Sequence, residues 1–127
     1  MIIVSEKDIP EFELNREGMC GVKVKYLLHA GFGAKLQVRI FTVEVGGHTA
    51  MEKHAHSHQV FVLEGEGIIK SKNVEKRIKA GDFIYIGSWE YHQIINVGNR
   101  PLKFLCTKET NQIPEELRKF TSSNSLS

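Results

Sequence analysis

The chain has few of the residues that characterise several protein classes. It has 127 residues with only two cysteines, three prolines and one tryptophan, which excludes a disulfide-rich scaffold and a collagen-like chain. Its 17 basic and 15 acidic side chains give a net charge of +2, too weak to indicate nucleic-acid binding. No apolar run approaches the roughly 20 residues of a membrane span, and Met1–Val4 is too short for a signal-peptide core. We therefore expect a compact cytoplasmic domain with Cys20 and Cys106 as free thiols, and neither a nucleic-acid nor a membrane partner.

Most of the sequence consists of short candidate strands separated by turns. These segments are rich in β-branched and aromatic residues and several of them alternate polar with apolar positions. They are Val22–His29, Lys35–Val45, His58–Leu63, Ile68–Ser71, Val74–Lys79, Phe83–Ile86, Tyr91–Val97 and Leu102–Thr107. Glycine-rich segments separate them, and we expect Gly46-Gly47 to end the longest strand. The pattern predicts an all-β sandwich or barrel.

A single helix is predicted, near the C-terminus. Pro114 suits the first helical position, and acidic residues in the first turn and basic residues in the last continue the helix to Phe120. The serine-rich tail Thr121–Ser127 is predicted to be disordered. Because the sequence shows no repeat and no composition change, we expect residues 1–127 to form one domain.

Several candidate strands are apolar on both faces. In His58–Leu63, Val60 and Val62 share a face with His58, whereas Phe61 and Leu63 lie on the other face. A sheet that is apolar on both faces needs a cover on each, either a second sheet or a partner subunit. We therefore expect a homodimer, in which Met1–Phe12 is a candidate for pairing with the partner's sheet.

Histidine is the residue with an uneven distribution. Four of the six histidines (His48, His54, His56 and His58) lie within eleven residues. Glu52, His54, His56 and His58 occupy every second position, so a continuous strand would point all four to one face. Imidazoles at this spacing can reach one metal ion, and a carboxylate can complete its ligands. His92, on a later strand, is a further candidate from the opposite wall of a barrel.

Two motifs around these residues resemble those of the cupins. In the first cupin motif a glycine is followed by five residues, a histidine, one residue, a second histidine, three or four residues, a glutamate, six residues and a second glycine. This spacing is matched by Gly46, Glu52, His54, His58 and Gly65. The spacing of the second motif is matched by Gly81, Gly87, Trp89, His92 and Asn96. The chain thus resembles a small single-domain cupin with a histidine-rich site, over a core of about residues 35–107. The resemblance implies a conical β-barrel or jelly roll that holds one metal ion inside.

The ligand set implied by the resemblance departs from the usual one. Glu52 stands where the motif has its first histidine, and His58 stands where it has glutamate, so the total of three imidazoles and one carboxylate is kept. The set is then Glu52, His54, His58 and His92. A second register keeps a His-x-His pair at His54 and His56 and makes His56 a ligand. Trp89 replaces the second motif's glycine, and we expect its side chain to cap an edge of the core.

Strand alternation and the resemblance together indicate which side chains line the cavity. The candidates are Arg39, Phe41, Phe104 and Cys106. Arg39 would anchor an anion with its planar donor group or, alternatively, would form a surface salt bridge. We expect Cys106 to be a buried apolar residue and Asn96 to be a structural hydrogen-bonding residue.

Three imidazoles and one carboxylate suit one divalent transition ion per chain: Mn, Fe, Co, Ni, Cu or Zn. A six-coordinate ion would keep two positions open for a small-molecule ligand or substrate, alone or beside dioxygen. The expected function is a metal-dependent enzyme, first an oxygenase-type oxidoreductase and next an isomerase or lyase. The alternative is a non-catalytic module that binds a metal or a small ligand.

Overall fold

The computed structural model describes residues 1–119, which form an almost entirely β structure. The strands are β1 (Phe12–Glu13), β2 (Cys20–Leu28), β3 (Leu36–His48), β4 (His58–Glu64), β5 (Glu66–Lys70), β6 (Glu75–Lys79), β7 (Phe83–Ile86), β8 (Gln93–Asn96) and β9 (Leu102–Glu109). Two 3₁₀ turns, Glu6–Asp8 and Ala30–Phe32, were not predicted. One α-helix, α1, begins at residue 115. The predicted helix end at Phe120 and the predicted disordered tail lie outside the described residues.

All the strands belong to one antiparallel sheet with the order β6-β5-β8-β3-β9-β4-β7, and β2 and β1 continue it from β3. The long strand β3 pairs with β2 and β9 over most of its length, and its last residue pairs with β8. One strand can contact three others in this way only if the sheet curls. The predicted all-β fold with a curled, barrel-like sheet and one short C-terminal helix is confirmed. None of the described helices has the length and apolar character needed to cross a membrane.

We expected Gly46 and Gly47 to end β3, but both residues lie within it. Gly46 has a φ of 79°, a backbone conformation that glycine adopts readily. A Cβ atom on Gly47 would lie 2.6 Å from the carbonyl oxygen of Cys20, so only glycine permits this approach of β2. The β2–β3 pairing shifts register in the same region, between Cys20 and Val22. The two glycines thus bend a continuing strand.

The inner face of the sheet holds the core. Alternate residues of β2, β3, β4 and β9 point inward and are almost completely buried; the most buried are Val24, Val43, Val60, Val62 and Leu102. Full burial of such a side chain contributes about 1.5–3 kcal/mol to stability. This packing fixes which side chains of the same strands reach the cavity beside the core.

The outer face of the β4–β7 pair is apolar and open in the single chain. Phe61 pairs with Phe83 across these strands, and both are exposed, as are Leu63 and Tyr85. The prediction that β4 is apolar on both faces is therefore correct. The N-terminal segment contacts its own sheet through Glu6, whose carboxylate lies 2.6 Å from Lys103 Nζ.

Candidate metal centre

A cavity of about 110 Å³ lies at one end of the core, inside the curled sheet. Strand register determines its walls. Arg39 lies opposite Cys106 and Phe41 opposite Phe104 across β3 and β9, and Val60 lies opposite Cys106 across β4 and β9. All four predicted lining residues, Arg39, Phe41, Phe104 and Cys106, border the cavity. Arg39 is 8% exposed and forms no salt bridge with any of residues 1–119, contrary to the alternative of a surface salt bridge.

Three histidines of the first motif come together at the cavity. His58 is the first residue of β4, whereas His54 and His56 belong to the preceding loop, residues 49–57. One potential ligand atom of each histidine lies within 4.8 Å of the others. His58 borders the cavity and so does His54, but His56 does not. The loop is not a continuous strand, so its alternating residues do not share one face.

Glu52 and His92 come together through a backbone bridge between the two motifs. The Glu52 N–H donates to the His92 carbonyl over 3.0 Å, and the His92 N–H donates to the Glu52 carbonyl over 2.8 Å. The Glu52 Oε2 atom lies 2.9 Å from His54 Nε2. The His92 Nδ1 atom lies 2.9 Å from the Glu90 carbonyl oxygen, so its Nε2 is left for another partner. Both side chains border the cavity.

The imidazole rings of the four histidines cross steeply in most pairs and stack in one. The ring planes cross at 76° for His54 and His58, at 58° for His54 and His92, and at 66° for His58 and His92. The centroids of these pairs lie 5.1–5.5 Å apart. The rings of His54 and His56 are stacked, 7° from parallel and 4.8 Å apart, whereas the ring of His56 crosses that of His58 at 83° with centroids 4.7 Å apart. A ring nitrogen presents its lone pair in the ring plane, so crossing planes can direct lone pairs at one point, whereas stacked planes do so poorly.

Burial lowers the pKa of the three histidines of the first motif. It lowers the pKa of His58 to about 2, and the positive charge of Arg39 acts in the same direction. Burial and the charge of Lys108 lower the pKa of His56 to about 4. Burial also lowers the pKa of His54, although the Glu52 carboxylate opposes this shift. Since imidazole binds a metal only when neutral, the site is prepared for ligation at neutral pH.

His58 is held from behind by Arg39 and Cys106. The Cys106 Sγ atom lies 3.4 Å from His58 Nδ1 and accepts a hydrogen bond from Arg39 Nη2 over 3.2 Å. When the His58 ring carries its hydrogen on Nδ1, Sγ can accept that hydrogen as well. The opposite nitrogen, Nε2, is buried and has no hydrogen-bond partner among residues 1–119, and the same holds for His56 Nε2. Outer contacts of this kind orient metal-binding histidines, and an unpartnered buried nitrogen is what an absent ligand would satisfy.

Lys108 and Tyr26 also border the cavity, and the sequence reasoning missed both. Lys108 follows Phe104 and Cys106 at the alternate positions of β9, so the same alternation could have found it. Burial and Arg39 lower its pKa to about 8. The Tyr26 hydroxyl donates to Glu116 of α1, and Arg16 Nη2 forms a 2.9 Å ion pair with that carboxylate. Helix α1 thus places a carboxylate beside one end of the cavity.

Trp89 was expected to cap an edge of the core. It does not do so, since its side chain is 62% exposed. Its φ is 61°, in the left-handed region where the family motif has glycine, and this conformation costs about 1–2 kcal/mol for a residue with a side chain. Its N–H donates to the carbonyl oxygen of His54 over 2.6 Å, so the loop that carries Trp89 holds the histidine loop. Asn96 is the structural residue expected: it donates to the Val43 and Arg100 carbonyls.

Comparison with known proteins agrees with this fold. Residues 39–108, more than half of the chain, match the family model for the cupin domain. The chain belongs to the cupin family. An uncharacterised protein of Methanocaldococcus jannaschii is 35% identical over 108 residues, which cover 83% of this cupin and 84% of that protein. The small-cupin resemblance of the two motifs is thereby confirmed.

Two relatives have names that state a function. The oxalate-binding protein of Thermotoga maritima is 31% identical over 111 residues, covering 84% of this chain and 91% of the relative. The 1-methylthio-D-xylulose 5-phosphate methylsulfurylase of Rhodospirillum rubrum is 30% identical over 96 residues; these cover 72% of this chain but only 62% of the enzyme. A solved structure from Thermotoga maritima, described as a predicted oxalate decarboxylase, has a TM-score of 0.78 and 27% identity over 85% of this chain and 98% of that chain.

Proposed function

We propose that this cupin is a metal-dependent enzyme of the oxygenase type that acts on a small organic molecule. Its ion would be one divalent transition metal per chain, held by Glu52, His54, His58 and His92. One observation carries the proposal: three imidazoles with crossing planes meet at the wall of one cavity. The fit is supported by His58 Nε2, which is buried without a partner and belongs to a ring fixed from behind.

Position at the cavity favours Glu52 over His56 as the fourth ligand. The His56 ring is stacked on His54, and its side chain does not border the cavity. The Glu52 carboxylate does border the cavity and already contacts His54. A carboxylate also lowers the net positive charge that a divalent ion would bring into a partly buried site. The close grouping of His54, His56 and His58 leaves His56 as the alternative.

The residues around the candidate ligands fit a small bound molecule. When bound, a divalent transition ion would supply Lewis-acid or redox chemistry toward a ligand beside it. Phe41, Phe104 and Val60 would exclude water from one side of that ligand. Arg39 and Cys106 hold the His58 ring from behind, so the ring can keep its orientation while a ligand enters.

A non-catalytic binding module is the second candidate. Among the described residues that border the cavity, the only histidines and carboxylates are the four proposed ligands. No further histidine or carboxylate is therefore present there to move a proton during a reaction, and Lys108, with its pKa lowered to about 8, is the remaining candidate. The name of the Thermotoga maritima relative, an oxalate-binding protein, also agrees with a binding role.

Metal analysis followed by dioxygen uptake separates the two candidates. We expect elemental analysis of the purified protein, reconstituted with Mn²⁺, Fe²⁺, Co²⁺, Ni²⁺, Cu²⁺ or Zn²⁺, to give one ion per chain. The loaded protein should then consume dioxygen with a small acid, diol or diketone as substrate. A loaded protein that binds such molecules without any turnover would support the binding module. Folded protein that takes up no ion would exclude both metal-dependent functions.

We also propose that the chain acts as a cytoplasmic homodimer, each subunit a single domain. The exposed apolar residues Phe61, Leu63, Phe83 and Tyr85 on the β4–β7 face support an interface, because a second copy would remove them from water. The free thiols Cys20 and Cys106 agree with a reducing compartment. Light scattering at micromolar concentration should give twice the chain mass, and Phe61→Asp with Phe83→Asp should give the monomer mass.

A further inference from the structure

Lys108 is a lysine of the cavity wall that no close contact fixes in place. It follows Phe104 and Cys106 at alternate positions of β9, is half-buried, and borders the cavity. It forms no hydrogen bond and no close ion pair with any of residues 1–119. By contrast, Lys103 on the outward face of β9 forms a 2.6 Å ion pair with Glu6. The Lys108 amine can therefore meet a molecule in the cavity without first breaking such a contact.

The surroundings of Lys108 disfavour its charged form. The charged and titratable groups that interact with it come from the segment after β1, from β3, from the loop of residues 49–57 and from β9; they are Arg16, Arg39, Glu52, His54, His56 and Cys106. Burial has the largest effect and the charge of Arg39 the next, and they lower the pKa of Lys108 to about 8. Cys106 and the more distant Glu52 carboxylate oppose this shift without outweighing it.

A lysine in such surroundings can act as a nucleophile. Only the neutral amine has a lone pair to donate. At pH 7.5 about a quarter of a group with a pKa of about 8 is neutral, against about 0.1% of an ordinary lysine. Lysines that perform covalent chemistry are activated in the same two ways, by desolvation and by a neighbouring cation. The apolar residues that border the cavity, among them Val60, Ile94 and Phe104, would restrict the water that hydrolyses a covalent product.

We propose that Lys108 forms an imine with a small aldehyde or ketone that binds in the cavity. The Nζ lone pair forms a C–N bond with the carbonyl carbon, the carbonyl oxygen leaves as water with the two amine hydrogens, and a C=N bond remains. No oxidant or reductant takes part. The volume of about 110 Å³ limits the compound to a few carbon atoms, and the apolar walls favour short alkyl substituents. This inference goes beyond the proposed function, since the step needs the cavity and the amine but no metal.

Reductive trapping would locate the imine. The full chain, as isolated and after chelator treatment, would be incubated at pH 7.5 with propanal and sodium cyanoborohydride, which reduces an imine to a stable propylamine. Free Nα-acetyl-lysine amide in the same solution is the reference amine, and peptide mass spectrometry assigns each labelled lysine. We expect Lys108 to be labelled at least about tenfold faster than the reference amine, because more of it is neutral. Labelling of Lys108 no faster than the reference would overturn the proposal.

The dependence of labelling on propanal concentration separates a binding site from an amine that is merely reactive. The Lys108 rate should level off as the concentration rises, because the aldehyde fills the cavity, whereas the rate of the reference amine should stay proportional to it. Lys108→Arg should lose the fast label, and the matched control Lys103→Arg, on the outward face, should keep it. A Lys108 rate that stays proportional to the propanal concentration would contradict a site in the cavity.

The pH dependence of the same labelling gives an independent readout. Between pH 7 and 10 the ratio of the Lys108 rate to the reference rate should fall, because an ordinary lysine becomes neutral only at the higher pH. A ratio that stays constant over this range would mean that Lys108 is not activated and would overturn the proposal. If the chain takes up no metal but is still labelled at Lys108, the metal centre fails and the imine site stands.

Discussion

His58 and His56 lie two residues apart, but they belong to different parts of the molecule. His58 is part of β4, is 6% exposed, and is held by contacts with Cys106 and Arg39. His56 belongs to the loop of residues 49–57 and stacks on His54. The ring of His58 crosses those of His54 and His92 at steep angles. The strand residue His58 borders the cavity, and so does His54 of the loop, whereas His56 between them does not.

Loss of a cavity histidine should have the largest effect on metal binding. We expect His92→Ala to weaken Co²⁺ or Zn²⁺ binding by more than the roughly 10–100-fold typical of a lost outer contact, because it removes a ligand. Competition titration with a chromophoric chelator would measure the affinity. His48→Ala is the control, since His48 lies at the end of β3 and does not border the cavity. If His92→Ala binds the metal as tightly as the wild type does, His92 is excluded as a ligand.

The carboxylate should contribute less than an imidazole. Glu52→Gln keeps the side-chain shape and one oxygen but removes the charge that attracts the ion, so we expect metal affinity to fall about 10–100-fold. Three imidazoles would still hold the ion, and the stoichiometry at saturation should remain one per chain. The same titration measures both quantities. An unchanged affinity would remove Glu52 from the ligand set and favour the register with His56.

The stability of metal-free protein should depend on pH through His58. Its pKa is about 2 in the folded chain and about 6.5 in the unfolded chain, so between these values only the unfolded chain binds the proton. Stability is therefore present above pH 6.5 and is lost as the pH falls, by about 2 kcal/mol for this residue between pH 6.5 and 5. Urea unfolding at both pH values should show a smaller difference for His58→Gln than for the wild type. Equal differences would mean that His58 gains its proton without unfolding.

The smallest effect is expected at the loop histidine. His56→Ala should change metal affinity by less than about threefold, or roughly 0.7 kcal/mol, because its ring is stacked on His54 and does not border the cavity. The titration used for His92→Ala applies here as well. A loss as large as that of His92→Ala would show that ring orientation does not decide ligation in this loop.

Where strands are hydrogen-bonded, the sequence predicted the fold and the side-chain directions well. The bounds of Phe83–Ile86 were predicted without error, and alternation along β3, β4 and β9 placed Arg39, Val60 and Phe104 on the inner face. These regions obey a simple rule, because successive residues of a strand point to opposite faces.

The sequence was less informative where structure depends on contacts between distant segments. β1 has two residues and pairs only with β2, so it carries no periodicity of its own. Gly46-Gly47 was interpreted as a strand end, because a bend within a strand and a turn look alike in sequence. The Glu52–His92 bridge, 40 residues apart in sequence, and the ring angles of the histidines follow from tertiary packing.

Anomalous X-ray diffraction from crystals grown with Co²⁺ would test the metal centre most directly. The anomalous difference map locates the ion independently of any assumed ligand. We predict one peak per chain, about 2.0–2.2 Å from nitrogen atoms of His54, His58 and His92 and from a carboxylate oxygen of Glu52. A peak bonded to His56 in place of Glu52 or His92, or the absence of a peak at this cavity in Co²⁺-saturated protein, would contradict the proposed centre.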